Sequence, residues 1–225
     1  MEDAILLAHG SGGKLSHDLI DRVFRPAFRN EVLDQGDDAA VVDVPARGRL
    51  AMTTDTYVVK PLFFPGGDIG RLAVCGTVND LSMVGATPYF LTAAFVLEEG
   101  LSMDTMRRVA LAMAATAQEA GVRIVTGDTK VVQRGEADGL FINTAGLGVV
   151  PNDVSVSGSL ARPGDVVIVS GTMGDHGIAV VSQREGLAFQ TEVRSDVAPL
   201  NGLVAALLEA GRRSGLSGPV HVLRD

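Results

Sequence analysis

The sequence predicts an α+β fold, a mixed α/β arrangement. Three observations carry this. Apolar β-branched runs bounded by Gly and Pro recur as strands. Segments with apolar residues at helical spacing lie between them, and one, 103–120, carries both start and stop signals. The order mixes adjacent strand pairs with βα units, which argues against a purely parallel sheet.

Taken in chain order, "SHDLIDRVFRPAFRN" (16–30) predicts an amphipathic helix with Ser16 as its N-cap. Residues 39–44 and 49–59 predict paired strands joined by a turn at 45–48. Residues 68–85 predict a buried helix holding Ile69, Leu72, Ala73, Val78, Leu81 and Val84 inward. A strand over 88–99 ends at Gly100, Ser102 caps a helix over 103–120, and Gly121 stops it. "VRIVTGD" and residues 140–150 predict two more strands. Beyond Pro151–Asn152, a candidate domain boundary, come a strand at 165–170, a helix near 175–185, a helix at 196–213 and a strand at 219–223. The closing "PVHVLRD" reads as a strand with nothing after it, so a fragment of a longer protein is expected. The implied division is a domain over 1–150 and a partial one over 151–225.

Composition narrows the function classes. The net charge is −8 and no Lys/Arg block occurs, so the chain lacks the cationic surface that phosphate-backbone binding needs and no nucleic-acid partner is expected. A single cysteine, Cys75, excludes an internal disulfide and suits a reducing cytoplasm. The first residues lack a basic n-region and carry too short an apolar run for a signal peptide. No stretch approaches 18 apolar residues, so no membrane span is expected.

Four segments share one grammar: "QGDDAAV" (35–41), "MTTDTY" (52–57), "TVNDLS" (77–82) and "TGDTK" (126–130). Each sets Asp beside Gly, Thr or Asn at the end of an apolar element. Asp also serves caps and Asx-turns. Carboxylates brought together from separate elements suit Mg²⁺, a hard cation that takes oxygen ligands and substrate phosphates. Lys130, two residues after Asp128, either pairs with it at the surface or neutralises a phosphate and handles a proton. "HGSGGK" (9–14) precedes a helix, so its backbone N–H groups can approach an anion while Lys14 reaches a phosphate. "GTMGDHG" (171–177), with His176, is a second glycine-rich turn of this kind. Cys75 reads as a small core hydrophobe. The spacings of a P-loop, a dinucleotide fingerprint, an EF-hand and a nucleophile elbow are all absent.

Together "AHGSGGK", "GDDAAV", "TDTYV", "PLFFPGGDIGRLAVCGTVNDLSMVGA", "FVLEEGL", "IVTGDTKVVQRG" and "LFINTAGLG" resemble the HypE family of hydrogenase maturation proteins. That family lies within the superfamily of ATP-binding proteins that includes aminoimidazole ribonucleotide synthetase (PurM) and selenophosphate synthetase. The resemblance runs through essentially the whole chain and implies a PurM-like two-domain architecture with the second domain incomplete. It implies an ATP-dependent carbamoyl dehydratase that converts a carbamoylated C-terminal cysteine to a thiocyanate. The cyanide would then serve the [NiFe] hydrogenase iron centre. ATP and Mg²⁺ are the implied cofactors. A HypF-type carbamoyltransferase, a HypC–HypD complex and a second copy joined through the N-terminal domain are the implied partners. Carried onto this sequence, Asp37 or Asp38, Asp55, Asp80 and Asp128 would be metal and phosphate ligands, with Asp225 a further one. Lys130, Lys14 and His9 would form the catalytic set. Gly10, Ser11, Gly12, Gly13, Asn79 and Thr129 would bind the nucleotide. The family's acceptor cysteine has no counterpart here, so these residues alone are expected to be inactive. Selenophosphate synthetase is disfavoured by the absence of a thiol in the glycine loop, and thiamine-monophosphate kinase by "HGSGGK" and "GDTKVV" together. A docking and dimerisation module, with the Asp and Gly segments as mere turns, is the non-catalytic alternative.

Overall fold

The computed structural model describes residues 4–37, 39–44, 47–187, 193–216 and 218–225. Its centre is a four-stranded mixed sheet in the order β1–β6–β4–β5. The strands are β1 (Arg49–Tyr57), β4 (Thr87–Glu98), β5 (Arg123–Val132) and β6 (Leu140–Val150), and a two-stranded hairpin, β2 (Phe63–Phe64) and β3 (Gly67–Asp68), stands apart. β6 runs antiparallel to both β1 and β4, whereas β4 and β5 are parallel. The parallel pair needs a long crossover, and helix α4 (Met103–Ala120) supplies it.

Helices α3 (Ile69–Met83) and α4 cover the inner face of the sheet. Val74 and Val78 of α3, Met106 and Met113 of α4, Leu91 and Leu97 of β4 and Ile142 of β6 are fully enclosed there. The signals at both ends of α4 are local and act as expected. Ser102 Oγ accepts the Thr105 N–H at 3.1 Å, and Gly121 takes the left-handed conformation at φ 68°. For α3 the start signal is Asp68, whose carboxylate accepts the N–H groups of Gly70 and Arg71.

The expected helix over 16–30 is broken. It forms as α1 (Lys14–Leu19), a π-helical turn over Ile20–Phe24, and α2 (Arg25–Phe28). Pro26 has no N–H to give the carbonyl one turn back and its ring crowds that carbonyl, so the chain widens before it. Ser16 is not the cap. Gly13 holds that position, and Ser16 Oγ instead accepts the Gly12 N–H at 2.9 Å. Phe24 stacks on Phe95 of β4 at 4.7 Å between ring centroids, which anchors this run to the sheet.

Three expected strands do not form. Residues 39–44 are irregular, and β1 takes β6 as its neighbour instead, from Arg49↔Val150 to Tyr57↔Ile142. The 45–48 turn falls partly on residues outside the described set. Residues 165–170 and 219–223 also lack strand pairing. A strand exists only by virtue of a hydrogen-bonded neighbour, and no described segment lies in register beside either. Val166, Val167 and Ile168 are accordingly more than 80% exposed. Helix α5 (Asp175–Glu185) forms where expected, whereas α6 (Asn201–Arg213) starts later than 196.

The segment leading into α6 is held by one side chain. Asn79, buried on α3, donates from Nδ2 to the Ala198 carbonyl at 3.1 Å and accepts the Leu200 N–H at 2.8 Å. Asn79→Ala is expected to strand both backbone groups and cost about 1–3 kcal/mol. Chemical denaturation of the two proteins side by side measures it.

Candidate active site

The sheet register fixes where the acidic residues stand. Asp55 on β1 pairs with Thr144 on β6, Thr144 with Ala93 on β4, and Ala93 with Gly127 on β5. Asp55 and Asp128 are therefore three strand spacings apart, roughly 14 Å. They also differ in face. Thr53 and Tyr57, which alternate with Asp55, both reach α3: Thr53 Oγ1 donates to Asp80 Oδ2 at 2.9 Å, and the Tyr57 hydroxyl meets Thr77 Oγ1 at 3.3 Å. Asp55 thus belongs to the inner side. Asp128 and Lys130 pair with Ala94 and Val96, which alternate with the buried Ala93, Phe95 and Leu97, so they point to the outer side.

On the β1 edge, Asp55, Asp80 and Asp225 bear on one another. Burial, followed by the charges of Asp80 and Asp55, raises the Asp225 carboxyl above its ordinary value. At the β5 edge a cavity of about 390 Å³ opens between the glycine segment, the α1–α2 run and β5. His9, Gly10, Gly12, Asp37, Thr129 and Lys130 line its polar side and Phe24, Phe28 and Phe95 its apolar side, with Asp128 at the strand. Asp128 and Asp55 share a local device: each sits in an Asp-Thr pair and accepts the N–H of the following threonine, at 2.8 and 2.7 Å. Asp128 and Lys130 form no ion pair with each other, and Lys130 is exposed.

The glycine segment lies flush on β5. A Cβ at Gly10 would stand 2.6 Å from the Val131 backbone nitrogen, and Gly12 has φ +78°. Only glycine fits the first position without a shift, and the second disfavours any side chain. His9 is buried and its Nδ1 accepts the Leu6 N–H at 2.9 Å, which places its proton on Nε2. Ser11 turns back to the Ala8 carbonyl at 2.8 Å. Ser11, Gly13 and Lys14 are exposed and do not line the cavity. Asp38 lies outside the described residues. Asn79 spends its amide on the 198–200 backbone and does not face the cavity.

Among the described residues no three His, Cys, Asp or Glu side chains stand close enough to hold a metal ion. The acidic set divides into a β1-edge group and a β5-edge group. The second glycine-rich turn is also not an open anion site. The His176 N–H at the start of α5 donates to Asp196 Oδ1 at 3.0 Å, so a carboxylate of the chain itself takes that position. The His176 ring meets Ser195 Oγ at 3.0 Å and the edge of Phe64, and burial lowers its basicity.

Sequence reasoning missed Thr53, whose hydroxyl holds Asp80, and the aromatic wall of the cavity. The alternation of Thr53, Asp55 and Tyr57 was a usable signal for the first. The wall had none, since helical spacing alone cannot say which apolar residues border a void.

Comparison with known proteins adds the family. Residues 36–150 match the AIR synthase related protein, N-terminal domain. The carbamoyl dehydratase HypE of Bradyrhizobium diazoefficiens is 54% identical over 219 residues, covering 97% of this chain and 62% of that protein. The HypE of Escherichia coli K12 is 48% identical over 229 residues, covering 96% of this chain and 68% of that one. The chain belongs to the HypE family. A crystal structure of HypE in complex with ATP superimposes with a TM-score of 0.91 at 54% identity, covering 98% of this chain and 63% of that one. The HypE chain of a HypE–HypF complex gives 0.74 at 52% identity, covering 95% of this chain and 65% of that one. This HypE-family chain thus spans about three fifths of the length of the first of these relatives.

Cys75, the one cysteine of this HypE-family chain, is buried in α3, and burial pushes its thiol up to about 12. At pH 8 it is expected to resist iodoacetamide while the protein is folded and to react once urea unfolds it. Mass spectrometry reads both states.

Proposed function

We propose that this chain forms the ATP- and magnesium-binding part of a carbamoyl dehydratase, with a domain over 1–150 and part of a second over 151–225. The reaction takes a protein S-carboxamide and ATP to a thiocyanate, ADP and phosphate, for the cyanide ligands of a [NiFe] hydrogenase iron. Phosphorylation turns the amide oxygen into a good leaving group. The observation that carries this reading is the β5-edge cavity, whose lining brings Lys130, Asp37 and Asp128 together with a glycine segment that only glycine allows to lie so close. HypE relatives 54% identical to this chain, one solved with ATP, support it.

The donor set fits magnesium. Asp37, Asp55, Asp80, Asp128 and Asp225 offer only hard oxygen ligands, and Mg²⁺ takes such ligands at about 2.1 Å. Bound Mg²⁺ would neutralise phosphate charge. Lys130, a compact cation beside the cavity, would balance the transferring phosphoryl group or handle the amide proton. Groups some 14 Å apart cannot share one such ion, so a second copy is assigned the task of joining them. The outer sheet face supports this. Leu50 and Met52 of β1 are 63% and 76% exposed there, paired with Val149 and the part-buried Leu147 of β6. An apolar face of this kind marks an interaction surface, and a dimer through it would set a β1 edge near a partner's β5 edge.

The acceptor thiol is not Cys75, which is enclosed, and is supplied from outside these residues. A HypF-type carbamoyltransferase loads it and a HypC–HypD complex takes the product, in the cytoplasm. No helix among the described residues is long and apolar enough to cross a membrane.

Two experiments test this. Mg²⁺ and ATP together, at about a hundredfold their dissociation constant, should add about 2.7 kcal/mol, or roughly 5–10 °C in melting temperature. Asp80→Asn and Asp128→Asn should each remove that shift, and a shift that persists in both refutes the ligand assignment. A full-length protein with no shift at all would favour the docking module. Mixing Asp80→Asn with Asp128→Asn protein should restore ATP binding in half of the sites of mixed dimers. No restoration, with mixed dimers confirmed by native mass spectrometry, overturns the shared site.

A further inference from the structure

Beneath the Asp55–Asp80 edge runs a chain of buried hydroxyls that the proposed chemistry does not use. The Tyr57 hydroxyl is 3.3 Å from Thr77 Oγ1, Thr77 Oγ1 is 2.5 Å from Thr144 Oγ1, and Thr144 Oγ1 is 3.1 Å from the Ala73 carbonyl. Thr77 and Thr144 are fully enclosed and Tyr57 nearly so. The chain begins beside two carboxylates: Asp55 precedes Tyr57 on the same face of β1, and Asp80 follows Thr77 by one helical turn.

The arrangement is built around the phenol oxygen. A Cβ at Gly76 would stand 2.2 Å from it. Glycine inside a helix costs about 1 kcal/mol relative to alanine, and here that cost opens the space through which the Tyr57 hydroxyl reaches α3. A phenylalanine at 57 would need neither the glycine nor two enclosed threonines. The hydroxyls also constrain one another's direction, since each carries one proton. If Thr144 donates to Ala73, Thr77 donates to Thr144 and Tyr57 to Thr77. If instead Tyr57 donates outward to a carboxylate, Thr77 donates to Tyr57, Thr144 to Thr77, and the Ala73 carbonyl keeps only its helical N–H partner. The row has two consistent orders, and the cation-binding edge lies at one end.

We propose that Tyr57, Thr77 and Thr144 are positioning residues that hold the Asp55 and Asp80 carboxylates in the geometry a divalent cation requires. The row donates outward when the carboxylates are bare and inward when a cation takes their lone pairs. This rests on the assignment of Asp55 and Asp80 as metal ligands made above. Partners behind metal ligands act in this way elsewhere, and their loss lowers metal affinity by about 10–100-fold.

The test titrates full chain with Mn²⁺ and reads free ion by electron paramagnetic resonance, with ATP present and with no turnover needed. Tyr57→Phe and Thr77→Val each remove one hydroxyl at nearly constant shape and are expected to weaken Mn²⁺ about tenfold. Thr77→Ser keeps the hydroxyl, loses a methyl, and should bind like the parent. Melting temperatures track folding, and Tyr57→Phe serves should Thr77→Val fail to fold. Equal weakening by Thr77→Ser and Thr77→Val would show that packing alone matters and overturn the proposal. So would parental affinity in Tyr57→Phe and Thr77→Val while Asp80→Asn loses Mn²⁺. An Asp80→Asn protein that binds Mn²⁺ normally would instead refute the ligand assignment itself, and the positioning role with it.

Discussion

The hydrogen-bonded ladder that joins Asp55 to Thr144, Thr144 to Ala93 and Ala93 to Gly127 sets the distances of the candidate site. Strand spacing is nearly constant, so no side-chain rotation can bring one edge of this sheet to the other. What side chains can do is choose a face. Alternation sends Thr53, Asp55 and Tyr57 toward α3 and sends Asp128 and Lys130 away from it. The two acidic groups are therefore parts of a larger assembly of groups, fixed by the backbone before any ligand arrives.

The same ladder explains what the amino-acid sequence revealed. Elements whose signals are local were readable to within a residue or two. Ser102 and Gly121 bound α4 because a side-chain hydroxyl and a left-handed glycine act on the backbone next to them. Elements whose existence depends on a distant neighbour were not. Residues 165–170 have the β-branched run of a strand, yet pairing is a property of two segments and the second was invisible. The break at Pro26 was legible in principle, since its missing N–H is a local fact, but the helical spacing of Leu19, Val23 and Phe24 outweighed it.

The candidate site divides along the same line. The Asp-bearing segments and Lys130 could be picked out by residue type and spacing, and the glycine segment by its composition. Their distribution over two edges and two faces could not, because it follows from strand order. Asn79 shows the limit most plainly. Beside Asp80 it reads as a ligand, and the fold uses both ends of its amide to fasten Ala198 and Leu200. That use places a structural tie and a candidate metal ligand on adjacent positions of α3, so the second segment of the chain is fastened within one residue of the chemistry.

The exposed run Val166–Val169 carries a different consequence. Four β-branched residues with no charge and no proline among them are a template for pairing with any unpaired backbone. At high concentration this stretch would drive molecules into sheet-like clumps, and Asp165 and Arg162 at its near end are the gatekeepers that slow the process.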